Sequence, residues 1–187
     1  MGPEHAPEPF AHDADARMYV PRAATEDALE ALTGALFGGD PCVTLSGPAG
    51  HGKTLLLQLL PKRRGPLWRC GRLVAADVDP ASVWEAMATS LGLQVACEGA
   101  IQSAAAGAEG RGGGLVLLVD DAQRLAEDLR ARIEEVCDRM TGLHVVFAEA
   151  SPDGRVPPGA VTLLAPMSLD ESRMYMRMRL DRASLGE

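Results

Sequence analysis

The stretch PCVTLSGPAGHGKTLLLQLL, residues 41–60, decides the fold. It opens with an apolar run at 41–46 that reads as a short buried strand. It continues through GPAGHGKT, that is Gly47, Pro48, Ala49, Gly50, His51, Gly52, Lys53 and Thr54, and passes into KTLLLQLL (53–60), a helix expected to stop at Pro61. Strand, G-x-x-x-x-G-K-T and helix in that order are the context in which such a loop wraps a phosphate. Glycines let the loop close tightly, so that backbone N–H groups point inward, and the helix beginning near Lys53 adds its positive end. The Lys53 ammonium is placed to reach β- and γ-phosphates, and the Thr54 hydroxyl to ligate Mg²⁺. The chain has only two lysines, Lys53 and Lys62, against many arginines. A compact ammonium fits inside such a loop where a planar guanidinium does not.

A loop of this kind needs a carboxylate at the end of a neighbouring strand. LVLLVDDAQRL, residues 115–125, supplies two. Asp120, ending the apolar run, reads as the Mg²⁺ carboxylate, acting through water. Asp121 has two readings: a base that polarises the attacking water, or an N-cap for the helix that follows. As an Asp it is one methylene shorter than the Glu that such a base commonly is.

Outward from these motifs, apolar runs alternate with helical patterns, the pattern of a parallel α/β sheet. Residues 25–37 read as a helix with Leu29, Leu32 and Leu36 on one face; 72–77 as a second strand; and 79–93 as a helix capped by Asp79, opened by Pro80 and striped by Val83, Met87 and Leu91. Residues 98–107 form a short Ala-rich helix. The Gly-rich GAEGRGGG (107–114) has no Lys and precedes a strand, so it is a connector. A helix from Ala122 to Met140 carries Leu125, Leu129, Ile133, Val136 and Met140, with Asp128–Arg132 and Glu135–Arg139 as pairs on its wet side. Strands follow at 143–149 and 160–165. Ser168 and Glu171 form a capping box for the last helix, whose Met174, Met176 and Met178, with Met167 before them, read as core or lid packing, or else as an adaptable groove for a partner.

Composition bounds the function. With 187 residues, 47% apolar, the chain can bury a sizeable core, and with 4% aromatics that core must be Leu, Val, Ala and Met. No apolar run is long enough to span a membrane. Residues 1–18 are polar and Pro-rich without a signal-peptide pattern, and read as a flexible tail ahead of a core at 19–187. Cys42, Cys70, Cys97 and Cys137 show no C-x-x-C pair and read as reduced core cysteines of a cytoplasmic protein. A net charge of −8 argues against a surface that grips nucleic acid. The basic residues at 61–72 and Arg173, Arg177, Arg179 and Arg182 read first as solvated faces, with contact to a partner or nucleic acid as the lesser reading.

With these residues assembled, the sequence resembles the AAA+ ATPases of the ExeA (general secretion pathway A) type, a group that includes ATP-dependent regulators of DNA transposition. Residues 19–60 look like the family's opening helix, strand and Walker A; 115–125 like its Walker B; LHVVFAEASPDG (143–154) like its sensor-1 strand; and LLAPMSLDESRMYMRMRLDRASL (163–185) like its "PLs-x-x-E-x-x-x-Y-I-x-x-R-L" helix. The resemblance implies a three-layer P-loop (AAA+/ASCE) sandwich with a five-stranded parallel sheet. It also implies Tyr19, Val20 and Arg22 near the adenine of ATP, Glu149 as the polar sensor, and a homo-oligomer whose sites are completed by a neighbour's arginine. Three departures stand out. Asp121 replaces Glu, and Glu149 stands where Gln is common. The segment SPDGRVPPGA (151–160) is short, leaving Arg155 as finger candidate. The chain ends after the Met-rich helix, so most of the lid is expected to be missing. The functional expectation is a Mg²⁺-dependent ATP-binding protein with weak ATPase (hydrolase) activity, an oligomerising switch or motor for an unidentified protein partner. The alternatives are a non-hydrolysing ATP-gated interaction module and a DNA-associated regulator of the transposition type.

Overall fold

The computed structural model describes residues 19–63, 65–151, 161–163 and 167–184. In chain order the elements are α1 (Ala23–Gly38), β1 (Cys42–Gly47), α2 (Lys53–Arg63), β2 (Trp68–Val74), α3 (Val83–Ser90), α4 (Glu98–Glu109), β3 (Gly114–Asp120), α5 (Glu127–Arg139), β4 (Leu143–Ala150), β5 (Val161–Leu163) and α6 (Leu169–Ser184). The strands form one sheet in the order β2-β3-β4-β1-β5, and every neighbouring pair is parallel. The order places β4 between the strand that feeds the Gly-rich loop and the strand that ends in Asp120.

Strand alternation sorts the side chains into two apolar layers. Val43, Leu45, Val116, Leu118, Val146 and Ala148 face α1 and α2. Leu115, Leu117, Val119, Val145 and Phe147 face α3, α4 and α5. All seven residues of β3 are buried, as expected of a central parallel strand covered on both faces. By the same alternation Asp120 falls on the α2 face and Glu149 on the α5 face.

Several boundaries differ from the sequence expectation. The second strand begins at Trp68 rather than at 72 and ends at Val74, with Ala75–Asp77 a 3₁₀ turn. Val74 pairs with Asp120, the last residue of β3, so residues beyond it have no ladder to join. Pro61 does not end α2, which runs on to Arg63, with Pro61 in its last turn. The helix expected from Ala122 is broken: Ala122–Arg124 is a 3₁₀ turn, Leu125 and Ala126 are extended, and α5 starts at Glu127. Asp79 accepts a hydrogen bond from the Ala81 N–H at 2.9 Å, but it caps the 3₁₀ turn Pro80–Ser82 that leads into α3. Cys97, expected in the core, is exposed ahead of α4, while Cys137 is buried and Cys42 and Cys70 are half-buried.

The capping box forms in full: Glu171 N–H donates to Ser168 Oγ at 3.2 Å, and Ser168 N–H to Glu171 Oε2 at 2.8 Å. Along α6, Met174 and Met176 are exposed, against the packing expected of them, and Arg179 is buried instead. Glu135–Arg139 closes at 3.8 Å, whereas the Arg132 guanidinium lies over the Trp84 ring. The expected tail at 1–18, Arg155 and the flanks of β5 lie outside the described residues. Among the described residues, no helix is long and apolar enough to cross a membrane.

Candidate functional site

The site is built at the carboxyl edge of the sheet, where β1 ends at Gly47 and the chain turns through residues 48–52 into α2. Gly50 at φ 77° and Gly52 at φ 88° lie in the left-handed region, so the turn depends on glycine at both places. Lys53, the first residue of α2, is buried and folds back over the loop, its Nζ donating to the Gly47 carbonyl at 2.9 Å and the Pro48 carbonyl at 2.8 Å. Burial pushes the ammonium below its ordinary pKa, against the opposing pull of the Asp121 and Asp120 charges.

Asp120 is 5% exposed and fully engaged. Its Oδ2 accepts from the Thr54 hydroxyl at 2.9 Å and from Arg72 Nη2 at 2.7 Å, and its Oδ1 accepts from the Asp121 N–H at 3.1 Å. Asp121 is the one non-glycine residue with positive φ among the described residues, at 53°. Aspartate is among the few side chains that visit this region routinely. Its side chain makes no capping hydrogen bond, and the residue capping α5 is Ala126, which removes the helix-cap reading. Gln123 holds it instead. Gln123 Nε2 donates to Asp121 Oδ1 at 3.3 Å, while Gln123 Oε1 accepts from the Ala150 N–H at 2.9 Å, tying the turn after β3 to the end of β4.

Glu149 lies in register with Ser46 of β1, on the α5 face. Its Oε2 accepts from Arg130 Nη1 at 2.7 Å; Arg130 Nε also donates to Glu134 at 3.0 Å, and the guanidinium lies 4.6 Å over the Phe147 ring. Burial alone would depress the Arg130 pKa; the bonds from Glu149 and Glu134 outweigh it and raise it. Glu149 is therefore neutralised from within the chain.

Beside the loop, Tyr19, Val20, Arg22, Gly50, His51 and Tyr175 are among the residues lining a cleft of about 110 Å³, so the three residues that the resemblance singled out stand together against the loop. The Tyr19 hydroxyl donates to Glu26 at 2.6 Å; burial first, then Glu26, raises its pKa well above the usual phenol range. Arg22 Nε lies 3.8 Å from Glu171 of α6. A larger groove of about 530 Å³ opens around Trp68, Gly142 and His144, at the opposite edge of the sheet from the loop.

Sequence reasoning missed Arg72, Gln123, Arg130 and Tyr175. Arg72 was grouped with a basic cluster that the fold takes apart: Arg63 pairs with Glu26, Arg69 reaches the Leu91 carbonyl, and Arg72 turns onto Asp120. Period-two alternation along β2 was the signal that could have placed it.

No family model matches the chain, and no curated protein matches it. Among solved structures it is similar to a chain in the Escherichia coli MS115-1 HORMA:CdnC:Trip13 complex, at 18% identity and a TM-score of 0.48, over 83% of this chain and 58% of that one. It is also similar to Caenorhabditis elegans PCH-2, at 15% identity and a TM-score of 0.41, over 78% of this chain and 41% of that one. The chain thus spans less than two thirds of either neighbour. By its own geometry it is an α/β protein with a parallel sheet and a Gly-rich loop at the carboxyl end of β1.

The donor set suits a small hard cation. Thr54 offers a hydroxyl and Asp120 a carboxylate, both oxygens and already within hydrogen-bond distance of each other. Among the described residues, no three His, Cys, Asp or Glu side chains converge. A cation held between Thr54 and Asp120 would take its remaining ligands from water and from a phosphate, as Mg²⁺ does in such sites.

Proposed function

We propose that the chain is the nucleotide-binding core of an AAA+ ATPase, taking Mg²⁺·ATP with its phosphates in the loop Gly47–Thr54. The observation that carries this reading is the meeting of Thr54 and Asp120 at 2.9 Å beneath a Gly-rich loop whose lysine sits on its own carbonyls. Lys53 would leave Gly47 and Pro48 for the β- and γ-phosphates, and Gly50 and Gly52 free the backbone N–H groups to turn inward. Tyr19, Val20 and Arg22 would border the adenine, with Tyr175 of α6 on the same cleft. When bound, Mg²⁺ would supply charge neutralisation at the phosphate oxygens, held by Thr54 and, through water, Asp120. Asp121, positioned by Gln123, would orient the attacking water.

Hydrolysis is proposed to be slow. With the backbone placed as for a glutamate, the Asp121 carboxylate stops about 1.5 Å short, and misplacement on that scale can cost about a hundredfold. Glu149 is paired with Arg130, so it offers the γ-phosphate no free hydrogen-bond donor. These features favour an ATP-gated switch acting on a protein partner, in a homo-oligomer, over a fast motor. The finer likeness to the ExeA type rests on the sequence segments alone, and DNA association remains the lesser alternative on the charge of −8. The test is titration of a fluorescent ATP analogue with Mg²⁺ into wild type and Lys53→Ala. Loss of a charge-assisted contact should weaken binding by about 2 kcal/mol. Equal affinities would end the nucleotide reading.

A further inference from the structure

We propose that Arg72 is a built-in counter-cation for Asp120, which occupies the metal-binding carboxylate until a divalent cation arriving with nucleotide displaces it. The proposal rests on the nucleotide reading above.

Arg72 reaches this place by strand alternation. On β2, Trp68 and Cys70 pack against the α1–α2 layer, and Arg72 is the next residue in that file. On β3 the matching file is Val116, Leu118 and Asp120, and Arg72 pairs in register with Leu118. The apolar members of the β3 file are buried and those of the β2 file half-buried, and the charged members meet past them at the sheet edge, Arg72 Nη2 2.7 Å from Asp120 Oδ2. That oxygen also accepts from Thr54 at 2.9 Å, and Oδ1 is taken by the Asp121 N–H.

The chemistry sets the two cations in competition. A metal ion held by Thr54 and, through water, by Asp120 would draw on the same carboxylate charge and the same Oδ2 lone pairs that Arg72 and Thr54 now engage. The carboxylate is the fixed partner: its side chain is 8% exposed, while that of Arg72 is 38% exposed and can swing into water. Without Arg72, a buried carboxylate beside the loop would stand with Thr54 and one backbone N–H as its only donors. With it, the metal-free site is held together, and the concentration of Mg²⁺ needed to convert it is raised.

The test is a Mg²⁺ titration at a fixed, subsaturating concentration of fluorescent ATP analogue, run on wild type, Arg72→Gln and Arg72→Lys, with EDTA baselines. Arg72→Gln should lower the Mg²⁺ midpoint about three- to tenfold, the scale of one lost charge-assisted contact, and leave the affinity in EDTA unchanged. Arg72→Lys, which keeps the charge but loses the planar fork, should fall between. If Arg72→Gln does not fold, a midpoint for Arg72→Lys equal to wild type overturns the proposal. An unchanged midpoint in Arg72→Gln also overturns it, and a raised one would make Arg72 an organiser of the metal site. A Lys53→Ala control separates the two levels: if it binds like wild type, the nucleotide reading itself fails and the counter-cation role falls with it.

Discussion

The hydroxyl of Thr54 and the carboxylate of Asp120 meet at 2.9 Å although 66 residues separate them. One stands in the first turn of α2 and the other at the last position of β3. Their meeting is a product of the whole sheet, and it fixes where the chemistry of this edge is concentrated.

Lys53 sets stability against function. Burial lowers its pKa, so the folded state holds that proton less firmly than the unfolded chain does. Between the depressed value and the ordinary lysine range the unfolded state binds more protons, and wild-type stability rises with pH through that window. Below the window the full penalty of a buried ammonium is present. Lys53→Met should therefore raise the melting temperature of the nucleotide-free protein at neutral pH, by roughly 2–4 °C, while weakening ATP binding. The carbonyls it vacates keep other donors, Ser151 N–H to Gly47 at 3.1 Å and His51 N–H to Pro48 at 3.4 Å. A lower melting temperature in the variant would show that the two carbonyl bonds outweigh burial.

Asp121 couples an unusual backbone to the proposed water-orienting role. Its φ of 53° favours Gly, Asn and Asp over longer side chains. Asp121→Asn should keep both fold and ATP affinity and lose phosphate release. Asp121→Glu should lose up to about 1 kcal/mol of stability and gain turnover, more so at concentrations that permit oligomers. Phosphate release measured across a concentration series decides it; brisk turnover by the native monomer would mean that the shorter acid is already well placed.

Arg130 and Glu149 form a pair that is mostly shielded from water, 27% and 12% exposed. Arg130→Met leaves the largely shielded Glu149 carboxylate without its cation, and should cost about 2 kcal/mol in a urea melt. Glu149→Gln should cost less than half of that, since an amide oxygen can still accept from Arg130. In the double variant the two losses should fall short of additive, and strict additivity would show that the pair does not act as a unit.

Much of this architecture was legible in the residues. β3 is an uninterrupted apolar run up to Asp120, and β1 and β4 are mostly apolar, as parallel strands covered on both faces require, and the Gly-rich loop between strand and helix leaves little freedom. The placement of Asp120 beside Thr54 follows from period-two alternation along β3. β2 was harder, because Arg69 and Arg72 interrupt its apolar file and only pairing with β3 shows that Trp68–Cys70 belong to it. The start of α5 was masked for a related reason. Ala122 and Leu125 continue the helical spacing, but the left-handed turn at Asp121 and the bond from the Ala150 N–H to Gln123 divert the backbone first. Both misses arise where long-range contacts override a local pattern.

The position of β4 has a consequence for how the chain acquires this edge during folding. β1 and β3 do not touch; β4 lies between them and pairs with both. During synthesis from the amino terminus, Thr54 and Asp120 both exist well before residues 143–150 do, yet neither can find the other until that later segment slides in as the central rung. Loop closure over such separations is slow compared with local helix formation. The unfinished sheet meanwhile exposes two apolar strand edges, on β1 and on β3, that invite pairing with the wrong partner. The Gly-rich loop and Asp120 thus come into register only once β4 has paired with both β1 and β3, and under the proposed nucleotide reading, nucleotide capture would report that this part of the sheet has closed.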